Sequence, residues 1–339
     1  MKNILKFLYI LFVIFVSIIL IGLDYVSLKT NRPFLYFPQV LVTALGQKNI
    51  PNHLNIMILG LDRRNDWLEK TETTDTIIFS QVNFVQNKIK LFSFPRDLWN
   101  YYTGSKINQI YPISLEKTDI QDKYAYISEN FASISGQPID RVLVLSTENL
   151  KQLADILGGI NLYLKEGFID EKYPNDDYIQ NPNSGAPVYK TVEFKSGWIH
   201  LDSNNISEFV RSRKSSETAA LGGTDLGRIE RQQQLINTLI DEGKSTLIKN
   251  PKLVLNLYNF WNNLEHNFSD TELVAYLLKY AINLKNISIH RYPISSGEDP
   301  KKDMLYHPTR FINSQWVFIP RDKDYIELKQ YISNSLVSP

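Results

Sequence analysis

The apolar positions of this chain change their spacing along its length, and each change predicts a different element. From Phe7 to Leu23 they are continuous: FLYILFVIFVSIILIGL holds no charged side chain, and Ile4 and Leu5 extend the run across Lys6. A bilayer core takes roughly 20 apolar residues. No small-residue cleavage pattern follows before DYVSLKTNRP, so the run reads as an uncleaved signal anchor and not a removed leader. Lys2 and Lys6 favour a cytoplasmic N-terminus, a bias that Lys29 and Arg32 on the far side weaken. Expected are a cytoplasmic tip and transmembrane anchor over residues 1–23, and a membrane-proximal connector over residues 24–52, marked by Pro33, Pro38 and Pro51. Everything after the anchor is expected outside the cytoplasm.

Beyond the connector the pattern shortens to strand length. NIMILGLD is a buried apolar run, and TDTIIFSQVNF and KIKLFSFPRD follow with only VQNK between them. As an antiparallel meander these three strands would bring Asp62, Asp75, Arg96 and Asp97 to one end of a sheet. A helical period then takes over at Ile120, Tyr124, Ile127, Phe131 and Ile134, with Thr118 or Asp119 as cap and Gly136 as stop. DRVLVL, TENLKQLADILGG and INLYL read as strand, helix and strand, which predicts a layered α/β domain. Residues 165–195 are polar and read as a long excursion or lid. LDSNNISEFVRSR predicts a short helix capped near Asp202 or Ser203, and TDLGRIERQQQLINTLIDEG a longer one capped by Thr224 or Asp225. After Asn250 come helical patterns over 252–265 and 270–285, the strand NISIHRYPI, and a tail around SQWVFIPRDKDYIELKQYI, read as an added subdomain or peripheral layer.

Composition narrows the chemistry. The 339 residues include no cysteine, so disulfides, thiolate metal sites and a Cys nucleophile are excluded. A formal net charge of +1 argues against a nucleic-acid partner. Basicity is local instead: Arg211, Arg213, Lys214, Arg228 and Arg231 fall between Glu208 and Gln234. Arg211 and Arg213 can converge on one ligand only if their helix ends near Val210. Arg228 and Gln232, four residues apart, sit in the first turns of the next helix, whose N-terminus favours an anion. Guanidinium forks match phosphate, so a phosphate or pyrophosphate is the expected ligand. Asp62 and Asp75 at the same sheet end suit Mg²⁺, which takes one or two carboxylates plus phosphate oxygens. Together the two clusters predict a phosphoryl-transfer site. No G-x-S-x-G or H-E-x-x-H occurs, and the five His residues lack metal-ligand spacing. YYTGSKINQIY could bring Lys106 and Asn108 toward the same site, but reads more readily as a plain loop.

Taken in order, LGLD, TDTIIF, FSFPRD, KINQIY, LADILGGI and GWIHLD…VRSR…DLGRIERQQ resemble the LytR-CpsA-Psr family of cell-wall glycopolymer ligases. The resemblance covers residues 53–245 and leaves residues 246–339 as a C-terminal extension of unassigned role. It implies a three-layer α/β/α domain with a central mixed sheet, behind a single-pass anchor. It also implies transfer of a glycosyl phosphate from a polyprenyl-pyrophosphate carrier to peptidoglycan or another cell-wall glycan, with Mg²⁺ or alternatively Mn²⁺. Carried over by motif, Arg96, Arg211, Arg213 and Arg228, with Gln232, would bind the pyrophosphate. Asp62 and Asp75 would hold the metal, and Asp97 falls on a motif position; Asp75 or Asp97 would be the base. The chain departs from the family at Thr73, where an Arg is usual, with Arg63 and Arg64 in the adjacent loop. It departs again at Gln109 and Ile110, usually small residues, and at Leu98, usually Thr. Alternatives to the transferase are an anchored receptor for lipid-linked glycans and a polyprenyl-pyrophosphate pyrophosphatase.

Overall fold

The meander forms as expected. In the computed structural model β1 (His53–Arg63), β2 (Glu72–Asn83) and β3 (Lys88–Ser93) pair antiparallel in sequence order. The structure describes residues 2–63, 72–116, 119–212, 227, 231–232, 234–239, 250, 253–280 and 287–338; side chains of residues 2–12, 15, 62, 63 and 72 lie outside that set. A short hairpin follows, β4 (Trp99–Asn100) with β5 (Ser105–Lys106), then a 3-10 turn, Ile107–Gln109, leading into α3 (Ile110–Glu116).

α4 (Lys123–Ser135) carries the apolar period seen in the sequence, but it starts one turn later than predicted. Asp122 is its cap, accepting from the backbone N–H groups of Tyr124 and Ala125. Gly136, at φ 71°, closes it as expected. β6 (Arg141–Ser146) then pairs parallel with β1, and α5 (Thr147–Leu157) begins in a reciprocal cap between Ser146 and Asn149.

β7 (Ile160–Leu164) does not return to this sheet. It pairs antiparallel with β10 (Gly197–Leu201), so the predicted strand–helix–strand unit is not a crossover within one sheet. The segment between them is no structureless lid: β8 (Phe168–Pro174) and β9 (Tyr189–Phe194) form an antiparallel pair, with α6 (Asp176–Gln180) at the turn. Alternation made this legible only in part, because the outward residues of these two-stranded ribbons mix polar side chains with exposed Tyr163, Ile169, Tyr189 and Trp198, and the chain between them reads as loop. The inward residues of both ribbons form a second core with Ala154 of α5 and with Phe209 and Val210 of α7 (Ile206–Arg211).

The C-terminal residues are not a peripheral layer. After α8 (Leu253–Asn263), β11 (Glu265–His266) pairs with β6; after α9 (Asp270–Tyr280), β12 (Ser288–Pro293) pairs parallel with β3. The central sheet is thus six-stranded and mixed, in the order β11-β6-β1-β2-β3-β12, with both edges supplied from beyond residue 246. Three short strands, β13 (Ser296–Gly297), β14 (Leu305–Tyr306) and β15 (Ile319–Pro320), precede the last helix, α10 (Ile326–Val337). α10 buries Leu328 and Ile332 in the main core beside Ile127, Phe131 and Ile134 of α4, against Met57, Leu59 and Leu61 of β1. The opposite face of the sheet, at Leu54 and Phe84, meets Tyr276 and Tyr280 of α9. Helices on both faces give the three layers expected.

The N-terminal residues form α1 (Lys2–Thr30) and α2 (Tyr36–Gly46). α1 ends with Asn31 at φ 52° and the Arg32 N–H donating to Ser27 O at 3.2 Å, a left-handed stop followed by Pro33. Among the described residues no helix is long and apolar enough to cross a membrane. The expected span, Phe7–Leu23, falls partly on side chains outside that set.

Candidate phosphate site at the end of the sheet

The site begins with an irregularity between β1 and β2. Gly60 pairs with Thr76 and Leu61 with Thr74, leaving Asp75 as an extra residue on β2. Such a bulge turns a side chain out of the alternation that would otherwise fix its face. The opposing residue has to be small: a Cβ on Gly60 would lie 2.8 Å from Thr76 Cβ. With the strands this close, Thr76 Oγ1 donates to Gln232 Oε1 at 3.1 Å, and Gln232 Nε2 donates to Val210 O at 3.1 Å. Gln232 therefore ties the bulge to the last turn of α7.

Next to the bulge the side chains form a chain of alternating charge. Arg96 Nη1 donates to both oxygens of Asp75, each at 2.7 Å. Arg96 Nε lies 3.5 Å from Asp97 Oδ2, and Lys106 Nζ donates to Asp97 Oδ1 at 2.6 Å. All four side chains are partly exposed, between 12% and 25%. They are screened enough for the pairs to be ordered and open enough for an anion to reach them.

Backbone bonds on two sides hold this arrangement. The Asn108 N–H donates to Arg96 O at 3.3 Å and the Ile107 N–H to Leu98 O at 2.8 Å, while Thr74 Oγ1 donates to Asn108 O at 3.2 Å. From the other side the Phe318 N–H donates to Asp97 O at 2.9 Å, and the Trp99 N–H to Phe318 O at 2.8 Å. Leu98 and Ile110, two departures from the family pattern, are fully buried in the main core. They fill packing space behind the loop and do not face a ligand.

α7 ends at Arg211, and Ser212 is already extended, close to where two converging arginines need the helix to stop. Arg211 sits over the Tyr173 ring, 5.8 Å from its centroid. Arg231 behaves differently. It is 3% exposed, donates from Nε to Phe209 O at 3.0 Å and from Nη2 to Ser212 O, and stacks 4.1 Å over Phe168. It fastens the end of α7 and is not placed for a ligand.

Asp75, Arg96 and Asp97 are thus in direct contact, Gln232 reaches them through Thr76, and Arg211 follows the carbonyl that Gln232 binds. Asp62 lies opposite Thr73 in the β1–β2 register. Arg63 and Arg64 were noted beside Thr73; the side chain of the first and the whole of the second are outside the described residues, as are Arg213 and Arg228. Among the described residues no group of three or more His, Asp or Glu could hold a metal ion. A cavity of about 690 Å³ near Ile50, Asp140 and Tyr276 lies at the other end of β1, and its charged walls, Arg141 and Glu272, are paired at 2.6 Å.

The sequence profile of the LytR_cpsA_psr family matches residues 37–331. The chain belongs to that family. The polyisoprenyl-teichoic acid–peptidoglycan teichoic acid transferase TagU of Oceanobacillus iheyensis is 26% identical over 288 residues, 84% of this chain and 76% of the relative. The transferase TagV of Bacillus subtilis is 28% identical over 199 residues, which are 56% of this chain and 44% of the relative. In fold, the chain is similar to the LytR-CPS2A-psr family protein YwtF (TagT) solved with bound octaprenyl pyrophosphate lipid, with a TM-score of 0.51 at 17% identity over 85% of this chain and 92% of that one.

The LytR_cpsA_psr match runs well past residue 245, in keeping with the two edge strands and α10 that the C-terminal residues add to the domain. Lys106, read from the sequence more readily as plain loop, is carried to Asp97 by the β4–β5 hairpin. Its signal was the KIN motif, in which it stands two residues before Asn108. Phe318 gave no sequence signal at all, because it acts through its backbone.

Proposed function

We propose that this protein is a membrane-anchored phosphotransferase that moves a glycopolymer, as glycosyl phosphate, from a polyprenyl-pyrophosphate carrier to peptidoglycan or another cell-wall glycan. The observation that carries the reading is the Asp75–Arg96–Asp97–Lys106 chain at the bulge, in a member of a family whose named relatives transfer teichoic acid. A pyrophosphate entering here meets cations whose present partners are carboxylates, and its oxygens can take the carboxylates' place on those donors. Arg96 and Lys106 bind the phosphoryl oxygens, and Arg211, Arg213 and Arg228 extend the cradle from α7 and beyond. The acceptor hydroxyl forms a bond to the glycan-proximal phosphorus as the bond from that phosphorus to polyprenyl phosphate breaks. The leaving group carries off the negative charge, and Asp75 or Asp97 takes the hydroxyl proton.

A resident Mg²⁺ or Mn²⁺ fits the donor set. The chain has no thiolates, Asp62 and Asp75 share one end of the β1–β2 pair, and a hard cation needs only one or two carboxylates beside phosphate oxygens. When bound, the ion would neutralise phosphate charge. Asp75→Asn should abolish metal-stimulated turnover with the fold intact, and full activity in the presence of a chelator would rule the ion out.

We further propose that the domain lies outside the cytoplasm, behind α1 as anchor. Support comes from the apolar run Phe7–Leu23 in the sequence and from Ile18, Ile21 and Leu28, open on the surface of α1 at 63%, 69% and 76%. A C-terminal reporter that works only in the cytoplasm should stay silent. For the reaction, the full chain is incubated with a lipid-pyrophosphate glycan, divalent metal and peptidoglycan. Covalent glycan on the acceptor is the expected result. Tight binding without turnover would make the protein a receptor, and release of phosphate to water a pyrophosphatase.

A further inference from the structure

α2 has two apolar faces, and only one is packed. Tyr36, Val40 and Ala44, at four-residue spacing, face the domain, and Val40 and Ala44 are buried. Leu41, Val42 and Leu45 project from another side, with Leu35 just ahead of the helix, and are 43%, 69%, 68% and 55% exposed. Gln39 and Thr43 separate the two faces. A helix apolar on its open side as well as its packed side has a second apolar neighbour to meet.

Two observations identify that neighbour as a lipid surface. The first is charge. Between Asp24 and Asp62 the sequence contains no acidic residue, and Lys29, Arg32 and Lys48 stand on either side of α2. Cations flanking an apolar stripe are the pattern of helices that lie in the interface of anionic membranes. The second is continuity. α1, with its open apolar surface, ends six residues before α2 begins, and the joint between them is fixed to the domain. Asn259 Nδ2 donates to Lys29 O at 2.9 Å, Arg32 Nη2 to Asn262 Oδ1 at 3.3 Å, and the Tyr36 hydroxyl to Asp270 Oδ2 at 2.5 Å. The Tyr258 hydroxyl reaches the same Asp270 oxygen at 2.7 Å. The end of α1, α2, α8 and α9 are thereby one rigid piece.

We propose that α2 lies in the membrane interface, its open stripe at the acyl boundary and Lys29 and Lys48 on anionic headgroups, so that the joint sets how the catalytic domain is oriented on the bilayer. The proposal rests on the anchor reading of α1 given above.

The absence of cysteine makes single labels unambiguous. Full-length Val42→Cys, Leu45→Cys, Thr43→Cys and Lys302→Cys, each carrying an environment-sensitive fluorophore, are reconstituted into phosphatidylcholine vesicles with and without phosphatidylglycerol. Flotation with the vesicles reports the anchor. In floated protein, probes at 42 and 45 should shift to the blue and be quenched by nitroxide lipids at least twofold more than probes at 43 and 302, and more so with phosphatidylglycerol. Water-like probes at 42 and 45 in floated protein overturn the docking and leave the anchor standing. Probes shielded only as protein concentration rises, with no lipid quenching, place a second copy on the stripe and also overturn it. Protein that does not float overturns the anchor, and the continuity argument with it.

Discussion

Each end of β1 is served by a carboxylate cluster, and the two are built in opposite ways. Near the start of the strand, Asp270 is 13% exposed and accepts from the hydroxyls of Tyr36 and Tyr258, with Arg32 at 3.9 Å. At its far end, Asp75 and Asp97 are held by Arg96 and Lys106. A tyrosine hydroxyl satisfies a carboxylate but has little to offer an incoming anion. A guanidinium or ammonium binds phosphate as readily as it binds carboxylate. The first cluster, whose hydrogen-bond donors to Asp270 are phenols, fastens elements together, whereas the second can exchange its partners for a ligand. Burial does not distinguish them, since both are partly exposed; the chemistry of the donors does.

The largest expected effect breaks the exchangeable cluster. Arg96→Ala removes a charged donor from the phosphate and leaves Asp75 and Asp97 facing the same anion. Losing one preorganised donor of this kind typically costs about 10²–10³-fold in turnover. Arg96→Lys should recover little, because an ammonium cannot span Asp75, Asp97 and a phosphate at once. Turnover with lipid-pyrophosphate donor is the measurement. Less than a tenfold loss would mean that the reaction uses other cations.

Next in size is a contrast between arginines of one sequence cluster. Arg231 is buried and bonded to backbone carbonyls, so Arg231→Ala should lower unfolding free energy by about 3 kcal/mol, on the scale of hydrogen bonds to charged groups. Arg211→Ala should leave the denaturation midpoint nearly unchanged and weaken ligand binding instead. If both variants lose stability equally, Arg211 is a second fastener and the division drawn here fails.

That contrast also marks where sequence reasoning stopped. Strand order was enough to bring Asp75, Arg96 and Asp97 together, because it depends only on reversal of direction at short turns. Spacing could not tell Arg231 from its neighbours, since inward or outward placement was decided by packing against Phe168, over 60 residues earlier. The bulge at Asp75 was invisible too: TDTIIF alternates well enough without one. NISIHRYPI was legible as a strand, but its pairing with β3, and β11 altogether, were missed because pairing partners so distant in sequence leave no local pattern. Lys106 was undervalued, as a lysine in a Gly- and Ser-containing stretch looks the same whether or not a carboxylate waits across the hairpin.

A smaller effect tests the arginines outside the described residues. Arg213→Ala or Arg228→Ala should weaken binding of a polyprenyl pyrophosphate by about ten- to a hundredfold, as loss of one charged hydrogen bond implies. Lys214→Ala, off the motif, should be mild. Calorimetric titration measures all three, and parent-like binding throughout would confine the phosphate site to Arg96, Lys106 and Arg211.

The smallest effect belongs to the fastening cluster. Burial, and then the hydrogen bond to Asp270, push the Tyr36 phenol well above its ordinary range, and Tyr258 moves the same way for the same reasons. A phenol that holds its proton more tightly in the folded chain adds stability that is complete below the ordinary tyrosine value of about 10. That contribution is lost as pH rises above this value toward the folded one, because the unfolded chain then releases its proton first. Tyr36→Phe removes both the hydrogen bond and the titration. The parent should therefore be more stable than Tyr36→Phe by about 1 kcal/mol at pH near 8, and the gap should close as pH rises past about 10. Denaturant titrations of both proteins in detergent across that range give the answer. A gap that stays constant with pH would mean that Asp270 does not hold the Tyr36 hydroxyl. The joint between α1, α2 and α9 would then rest on Arg32 and, through α8, on the bond from Asn259 to Lys29 O.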